Sequence, residues 1–549
     1  MPSRLRILLW SALSGVLWAL AWPAIGGLTW LAFVAWLPLL HAERLHNART
    51  EGRKRAFYPY VLVATFIWNL SCSWWFFCVS EPLASKLISV GAPVLVNTFL
   101  MGVPWWLKRV VRRTHGELAA AFAFILFWIA LEFHHHDWDL QWPWFTLGNV
   151  FGTTPQMVQW YAVTGVLGGS LWILLANLLV DEALRRKTLW NTVTTSLFLG
   201  VPWGLSVALF NSYQPGNGRM VEVVVVQPNI DPYREKFSGV DPLEQLERML
   251  ALADAQMTDS TLLVVFPETA LQEGAAVDMS TGDLHFHGLW ENDLEASRSV
   301  RRLERFQAEH PRAALLCGMS SDRWFRQSEL PAAARPLGDG QHWYEAYNAA
   351  LWMPARGNVE SYHKSKLVTG VEHMPFEEVL GPLADLALDL GGTTGSLGQQ
   401  EERSVLRDGT SGLAVAPAIC YESVFGEHVA EHVRNGAQLI AVITNDGWWD
   451  DSPGYRQHLA FSSLRAIETH RSVVRSANTG ISCIIDPNGD VRERTSWWTP
   501  AAFRTEVELH RSLTFYVMHG DFIGRGALVA AIVLLLLSIV RRVRKRRSV

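Results

Sequence analysis

Two textures of hydrophobic patterning divide the chain. Residues 1 to about 212 form a succession of long apolar runs, near 7–22, 26–42, 57–78, 87–107, 117–133, 157–180 and 190–210. Each approaches the ~20 residues that a helix needs to cross ~30 Å of hydrocarbon. From about 213 to 521 the apolar runs are short and alternate with polar and charged stretches. An eighth long run, Gly526 to Val540, follows; Phe522 and Ile523 extend it, and Arg525 can snorkel from its end. The pattern predicts a polytopic α-helical membrane domain of about eight spans plus an extramembrane α/β domain. Its boundaries divide the chain into 1–212, 213–521 and 522–549.

Charges between the runs predict an orientation. Arg4 and Arg6 precede the first run, and Arg44, Arg49, Arg53, Lys54 and Arg55 follow the second. Lys108, Arg109, Arg112 and Arg113 follow the fourth, and Arg185, Arg186 and Lys187 the sixth. The tail carries Arg541, Arg542, Arg544, Lys545, Arg546 and Arg547, whereas the alternate short loops hold only Lys86. By the positive-inside rule, both termini and the basic loops are expected in the cytoplasm, with 213–521 on the far side. The first run could instead be a cleaved signal peptide, with Arg4 and Arg6 as its basic leader. Cleavage would leave an odd number of spans and break the charge alternation.

Within 213–521, Val221 to Gln227 is a continuous β-branched run closed by Pro228-Asn229, as suits a strand buried on both faces. Leu262 to Phe266, Ala314 to Cys317, Leu413 to Ile419, Leu439 to Thr444 and Ile481 to Ile485 repeat the theme. Helical patterns intervene at Pro242 to Met257, Asp293 to His310 and His458 to Thr469, so a layered α/β domain is expected.

Composition narrows the function. Of 549 residues, 49% are hydrophobic and 18% charged, which excludes a disordered chain. A net charge of -4 offers no basic face for nucleic acid. The 26 tryptophans read first as interface anchors. Five cysteines in so long a chain exclude a disulfide scaffold. His134, His135, His136, Asp137 and Asp139 have metal-binding chemistry, but adjacent helical residues point apart, so an interfacial loop is the simpler reading.

Three polar residues stand where chemistry is well placed. Glu268 follows Val264-Val265-Phe266-Pro267, where partial desolvation suits a general base. Cys420 ends Ala416-Pro417-Ala418-Ile419-Cys420, a setting for a nucleophile; Cys72, Cys78, Cys317 and Cys483 read as packing. Lys364, with Lys366 as competitor, lies in Tyr362-His363-Lys364-Ser365-Lys366; a lysine beside a thiol lowers its pKa and can stabilise an oxyanion. Taken singly, these residues also have ordinary readings: a turn carboxylate, a small buried hydrophobe and a solvated lysine.

In this order, the three resemble the Glu-Lys-Cys set of the carbon–nitrogen hydrolase (nitrilase) superfamily. With seven spans before the domain and one after, the chain looks like the membrane-bound apolipoprotein N-acyltransferase family. The motifs are Phe266-Pro267-Glu268-Thr269-Ala270, Tyr362-x-Lys364-x-x-Leu367-Val368, Cys420-Tyr421-Glu422 and Asn445-Asp446-Gly447-Trp448. The resemblance implies an αββα sandwich, with Glu268 as general base, Lys364 as catalytic lysine and Cys420 as nucleophile. It also implies supporting or substrate-binding roles for Glu372, Tyr421, Glu422, Trp448 and Asn478. Thr369-Gly370-Val371-Glu372 stands where the family commonly has Pro-Phe-Gly-Glu, and Trp448-Trp449-Asp450 where it often has Trp-Phe-Gly.

The implied reaction moves an acyl chain from a phospholipid through a Cys420 thioester to the α-amine of a lipoprotein's diacylglyceryl-cysteine. No cofactor or metal is implied, and the compartment is the bacterial inner membrane, with a monomer facing the periplasm. Two rival readings stand beside this one. A membrane-tethered amidase or nitrilase would pass the acyl group to water, and a transporter or scaffold would not use the three residues.

Overall fold

The computed structural model describes residues 3–49, 56–216, 218–237, 239–278, 285–331, 333–337, 339, 341–376 and 396–547. Arg53, Lys54 and Arg55 lie outside the described residues, as do the side chains of Lys545, Arg546 and Arg547.

Among the described residues, seven helices are long and apolar enough to cross a membrane. They are Arg4–Ala21, Tyr58–Cys78, Leu83–His115, Glu117–His134, Tyr161–Arg186, Leu189–Ser212 and Phe522–Arg544. The second apolar run departs from the expected single span. Thr29–Phe33 makes one 3-10 turn, and an α-helix starts only at Leu37, running to Arg49. Pro38 accounts for the late start: its missing N–H is harmless in the first turn of a helix and disruptive in the middle.

The tryptophans also differ from expectation. Trp106, Trp190 and Trp203 on the spans, and Trp30 between them, are exposed, as anchors would be, but Trp18, Trp22, Trp36, Trp68 and Trp128 are fully buried. Trp18 stacks on Trp68 with centroids 4.7 Å apart, and Trp36 meets Trp18 and Trp128 at 5.1 Å. Lipid chains are as apolar as leucine, so burial alone drives little association between spans, and dense contact between large rings supplies it instead.

The remainder is a four-layer sandwich. One seven-stranded sheet runs, in order, Ala501–Leu509, Arg219–Gln227, Thr261–Val265, Ala314–Arg326, His342–Met353 and Arg335–Pro336, with Glu360–His363 added on His342–Met353. A six-stranded sheet runs Val491–Arg492, Cys483–Ile485, Val473–Ala477, Leu439–Thr444, Leu413–Ile419 and Leu406–Asp408. Arg219–Gln227, Thr261–Val265 and Ala314–Arg326 are parallel neighbours, as are Leu413–Ile419, Leu439–Thr444 and Val473–Ala477.

Strand periodicity sends Val223, Val225, Leu263 and Val265 inward to meet Val415, Ile419, Ala441 and Ile443 from the other sheet. Their alternates, Val224, Val226 and Val264, pack on the helices Pro242–Asp254 and Arg298–Glu309. Val429 and Ala466, from Gly426–Arg434 and Pro453–Thr469, cover the outer face of the second sheet.

The halves interlock. Trp144 Nε1 donates to Gln457 Oε1 at 2.7 Å, and Gln457 Nε2 donates to the Cys72 carbonyl at 3.3 Å. Trp75, in the closing 3-10 turn of the second long span, meets Trp449 edge-on at 4.8 Å. The outer ends of the spans therefore form the floor on which the strand ends of the sandwich rest.

Candidate active site

Three strand ends converge above that floor. The strand Thr261–Val265 delivers Glu268 through Phe266-Pro267, with Thr269 turning the chain at φ +48°. Close approach fixes this bend: a Cβ on Gly318 would lie 2.5 Å from both the Pro267 carbonyl oxygen and the Thr269 nitrogen. The strand Leu413–Ile419 delivers Cys420, a non-glycine residue at φ +52°, into the 3-10 turn Cys420–Val424. A left-handed residue there must be held by its surroundings. The Glu422 carboxylate supplies the hold, accepting the Ile419 N–H at 2.7 Å. Lys364 follows the strand Glu360–His363, and its own N–H donates to the Asn348 carbonyl at 2.9 Å.

Glu268, Lys364 and Cys420 line one cavity of about 130 Å³. Lys364 Nζ donates to Glu372 Oε1 at 2.8 Å and Glu268 Oε1 at 3.3 Å. Asn348 Nδ2 donates to the same two oxygens, at 2.8 Å to Glu268 and 2.9 Å to Glu372. The outer oxygens accept from the main chain: Glu268 Oε2 from Asn445 N at 3.0 Å, and Glu372 Oε2 from Val368 N at 2.8 Å. Both carboxylates are thus oriented at two oxygens, as a preorganised site requires.

Electrostatics set the resting protonation states. Burial pushes the Cys420 thiol far up, and the charge of Glu268 pushes the same way; Lys364 pulls it down but does not prevail. Lys364 thus acts in the expected direction, but desolvation of a thiolate outweighs one neighbouring cation. A nucleophilic role for this thiol would require a neighbouring base to take its proton. Burial pulls Lys364 down, but Glu372 and Glu268 outweigh it and hold the ammonium protonated.

The supporting residues differ in kind. Glu422 is fully buried, and its Oε1 accepts from Ser365 N at 2.6 Å and Tyr362 Oη at 2.8 Å, so one carboxylate ties the Cys420 turn to the Lys364 segment. Burial raises its pKa. Tyr421 Oη donates to the Gln141 carbonyl at 3.1 Å, reaching into the membrane half. Trp448 lines the cavity and stacks on Phe237 at 5.7 Å. Asn478 works behind the wall: it donates to the Ile230 carbonyl at 2.7 Å and Asn445 Oδ1 at 3.1 Å, and accepts from Ile230 N at 3.1 Å.

Lys366 turns away from the cavity to Asp137, 3.1 Å off, and to the His136 carbonyl. Asp139 accepts from Phe376 N at 2.9 Å, and its carbonyl accepts from Thr369 Oγ1 at 3.3 Å. The His- and Asp-rich loop is therefore a dock for the segment that carries Lys364 and Glu372. Among the described residues, no group of three or more His, Cys, Asp or Glu side chains could hold a metal ion.

Several contributors went unread in the sequence. Asn348 lies within a strand of mixed character, and Lys236 within a charged stretch. His458 Nε2 lies 3.0 Å from the Cys420 carbonyl and its Nδ1 2.9 Å from Asp446, which Arg475 holds at 2.6 Å. Asp446 belongs to the Asn-Asp-Gly-Trp motif, but neither His458 nor Arg475 carries a local signal, because both reach it through packing distant in sequence.

The cavity wall is mostly carbon. Val368, Leu397, Trp448 and Trp449 come from the sandwich, and Phe76 and Val79 from the end of the span that begins at Tyr58. A charged centre in an apolar pocket walled by both halves suits acyl chemistry on a lipid.

Comparison with known proteins agrees. Residues 223–511 match the carbon-nitrogen hydrolase family model, and residues 14–179 that of the apolipoprotein N-acyltransferase N-terminal domain. The apolipoprotein N-acyltransferase of Chlorobaculum tepidum is 30% identical, with 96% of each chain aligned. That of Geobacter metallireducens is 26% identical over 98% of this chain and 96% of its own. Among solved structures, Nit3 of Saccharomyces cerevisiae, a nitrilase-superfamily member, aligns with a TM-score of 0.37 and 16% identity over 53% of this chain and 90% of its own. The chain belongs to the apolipoprotein N-acyltransferase family, within the carbon–nitrogen hydrolases.

Proposed function

We propose that this protein transfers an acyl chain from a phospholipid to the α-amine of the diacylglyceryl-cysteine that begins a lipoprotein. The observation that carries the reading is the joint cavity, in which Glu268, Lys364 and Cys420 meet carbon walls drawn from both halves. Residues 213–521 would be the catalytic unit and 1–212, with the last span, the platform that presents lipid to it. Counting the second apolar run, a 3-10 turn followed by the helix Leu37–Arg49, as a crossing gives eight, and the basic residues at alternate ends of the spans then support cytoplasmic termini and a catalytic unit in the periplasm of a bacterial inner membrane.

The reaction is ping-pong. Glu268 takes the Cys420 proton, and the sulfur attacks an ester carbonyl of the phospholipid. Lys364 and main-chain N–H groups stabilise the oxyanion, at about 3–4 kcal/mol for a well-placed donor. As the intermediate collapses, the C–O bond breaks and Glu268 returns the proton to the departing lysophospholipid. The acceptor amine then attacks the thioester and gives a proton to Glu268, which passes it to Cys420 as the C–S bond breaks. Glu372 and Asn348 orient Lys364 and Glu268, and Glu422 fixes the turn that presents the sulfur. The wall around Trp448 keeps water from the waiting thioester.

The test supplies purified protein with acyl-labelled phospholipid and a diacylglyceryl-cysteine peptide. Label in amide linkage at the peptide's N-terminus, absent with Cys420→Ala, is the expected result. Label released only as free fatty acid, with hydrolysis of small soluble amides, would replace transfer by the hydrolase reading.

A further inference from the structure

A second lysine lies behind the base. Lys236 closes a single turn of π-helix, Pro232–Lys236, whose start is capped by Asp231 accepting from Tyr233 N at 2.9 Å and Arg234 N at 3.2 Å. The Lys236 side chain runs inward, with the residue 3% exposed, and its Nζ donates to the main-chain carbonyl of Glu268 at 2.9 Å. Thr269 Oγ1 donates to the same carbonyl at 2.8 Å, so two donors fix the bend that aims the Glu268 carboxylate.

An ammonium is a costly way to satisfy one carbonyl. Among the described residues its Nζ has no carboxylate within ion-pairing distance, and a buried charge without a direct partner is strongly disfavoured. Burial draws Lys236 down to about 7, while Glu268 and Cys420 act to keep it charged. The arrangement has an electrostatic use. Lys364 is the one cation bonded to the carboxylates of Glu268 and Glu372 among the described residues, which leaves that group one carboxylate in excess. A charged Lys236 cancels the excess.

The same turn reaches the cavity wall. Phe237 stacks on Trp448, and Tyr233 Oη donates to the Trp448 carbonyl at 3.0 Å. One short element thus grips the wall beside the acyl chain and the backbone of the base together.

We propose that Lys236 is a positioning residue for the acyl-transfer step, fixing the Glu268 bend, setting a positive charge against the Glu268–Glu372 pair, and linking both to the Trp448 wall. The inference rests on the reading of Glu268 as base and Cys420 as nucleophile. The charged and titratable groups bearing on the Glu268 carboxylate are Lys364, bonded to it, Glu372, which shares Lys364 and Asn348 with it, Cys420 and Lys236.

The experiment measures the rate of Cys420 thioacylation from labelled phospholipid in a single turnover, across pH, for the wild-type protein and three variants. Lys236→Met removes both donor and charge, Lys236→Gln keeps a donor, and Lys236→Arg keeps both. Thioacylation in Lys236→Met should slow by about 10²-fold, the scale expected of a misplaced catalytic group. Removing a nearby cation raises a carboxylate's pKa, so the rising limb of the profile should move to higher pH by about one unit in Lys236→Met and Lys236→Gln. Lys236→Arg should return the limb to its wild-type place. Should Lys236→Met fail to fold in a thermal melt, Lys236→Gln and Lys236→Arg carry the comparison.

Wild-type rates and limbs in all three variants would overturn the proposal. So would a uniform slowing with unmoved limbs and no recovery in Lys236→Arg, which would make Lys236 packing alone. Absence of thioacylation in the wild-type protein would instead overturn the reading of Cys420.

Discussion

Between the two sheets the interior is aliphatic, with Val225, Leu263, Val415 and Ile443 interdigitating. Between the spans it is aromatic, with Trp18, Trp22, Trp36 and Trp68 in mutual contact. The contrast reflects the solvent each part leaves. The sandwich draws carbon out of water, so any close-packed aliphatic set is stabilising. The spans leave one apolar medium for another, and only contact quality distinguishes neighbour from lipid. The cavity lies where the regimes meet, its charged centre on rigid strand ends and its rim partly on the aromatic platform. Chemistry and substrate access are thus assigned to materials suited to each.

The comparison is broken most severely at the centre. Glu268→Gln and Lys364→Met should each lower transfer by about 10²–10³-fold, as removal of a preorganised group does, with little change in thermal unfolding. A loss of folding equal to the loss of rate would mean that the charges are structural. Ile443→Ala comes next. It removes volume from the inter-sheet core and should cost about 2–5 kcal/mol in denaturant unfolding of the detergent-solubilised protein. Trp68→Ala sharpens the contrast. In a water-facing core the change costs about 3–5 kcal/mol. Here the transfer contribution falls away, and the loss should stay below that range; a loss within it would contradict the lipid-solvent argument.

Asp446 offers a pH test. Burial raises its carboxyl, but Arg475 and then His458 prevail and hold it at about 2. A depressed acid stabilises the fold fully above its unfolded pKa of about 3.9 and loses that contribution as pH falls through the folded value. Stability should drop by about 2 kcal/mol between about pH 4 and pH 2, and Asp446→Asn should flatten that part of the profile. The smallest effect belongs to the dock. The Asp137 side chain is 92% exposed, so its pair with Lys366 should contribute less than about 1 kcal/mol. Asp137→Asn should leave transfer within tenfold of wild type, and a larger loss would give the loop an active role.

Sequence legibility followed the same division. Long apolar runs announced the spans, and short apolar runs ended by proline or a polar residue announced the strands carrying Glu268 and Cys420. Ala501–Leu509 was missed because it alternates exposed and half-buried positions before its buried end, as an edge strand does. Ring direction was not legible either: Trp36 and Trp30 look alike in the chain, yet one is core and the other faces outward. The unread site residues share one cause. Asn348, Arg475 and His458 acquire meaning from partners far along the chain, and Lys236 sits among charges that resemble a solvated surface.

The account turns on a covalent acyl-Cys420. The direct measurement incubates wild-type protein in detergent with acyl-labelled phospholipid and no acceptor, then maps label by mass spectrometry before and after neutral hydroxylamine. The account predicts one acyl group, on Cys420, removed by hydroxylamine and discharged by a diacylglyceryl-cysteine peptide. Transfer to the peptide by a preparation whose Cys420 never carries label would contradict it.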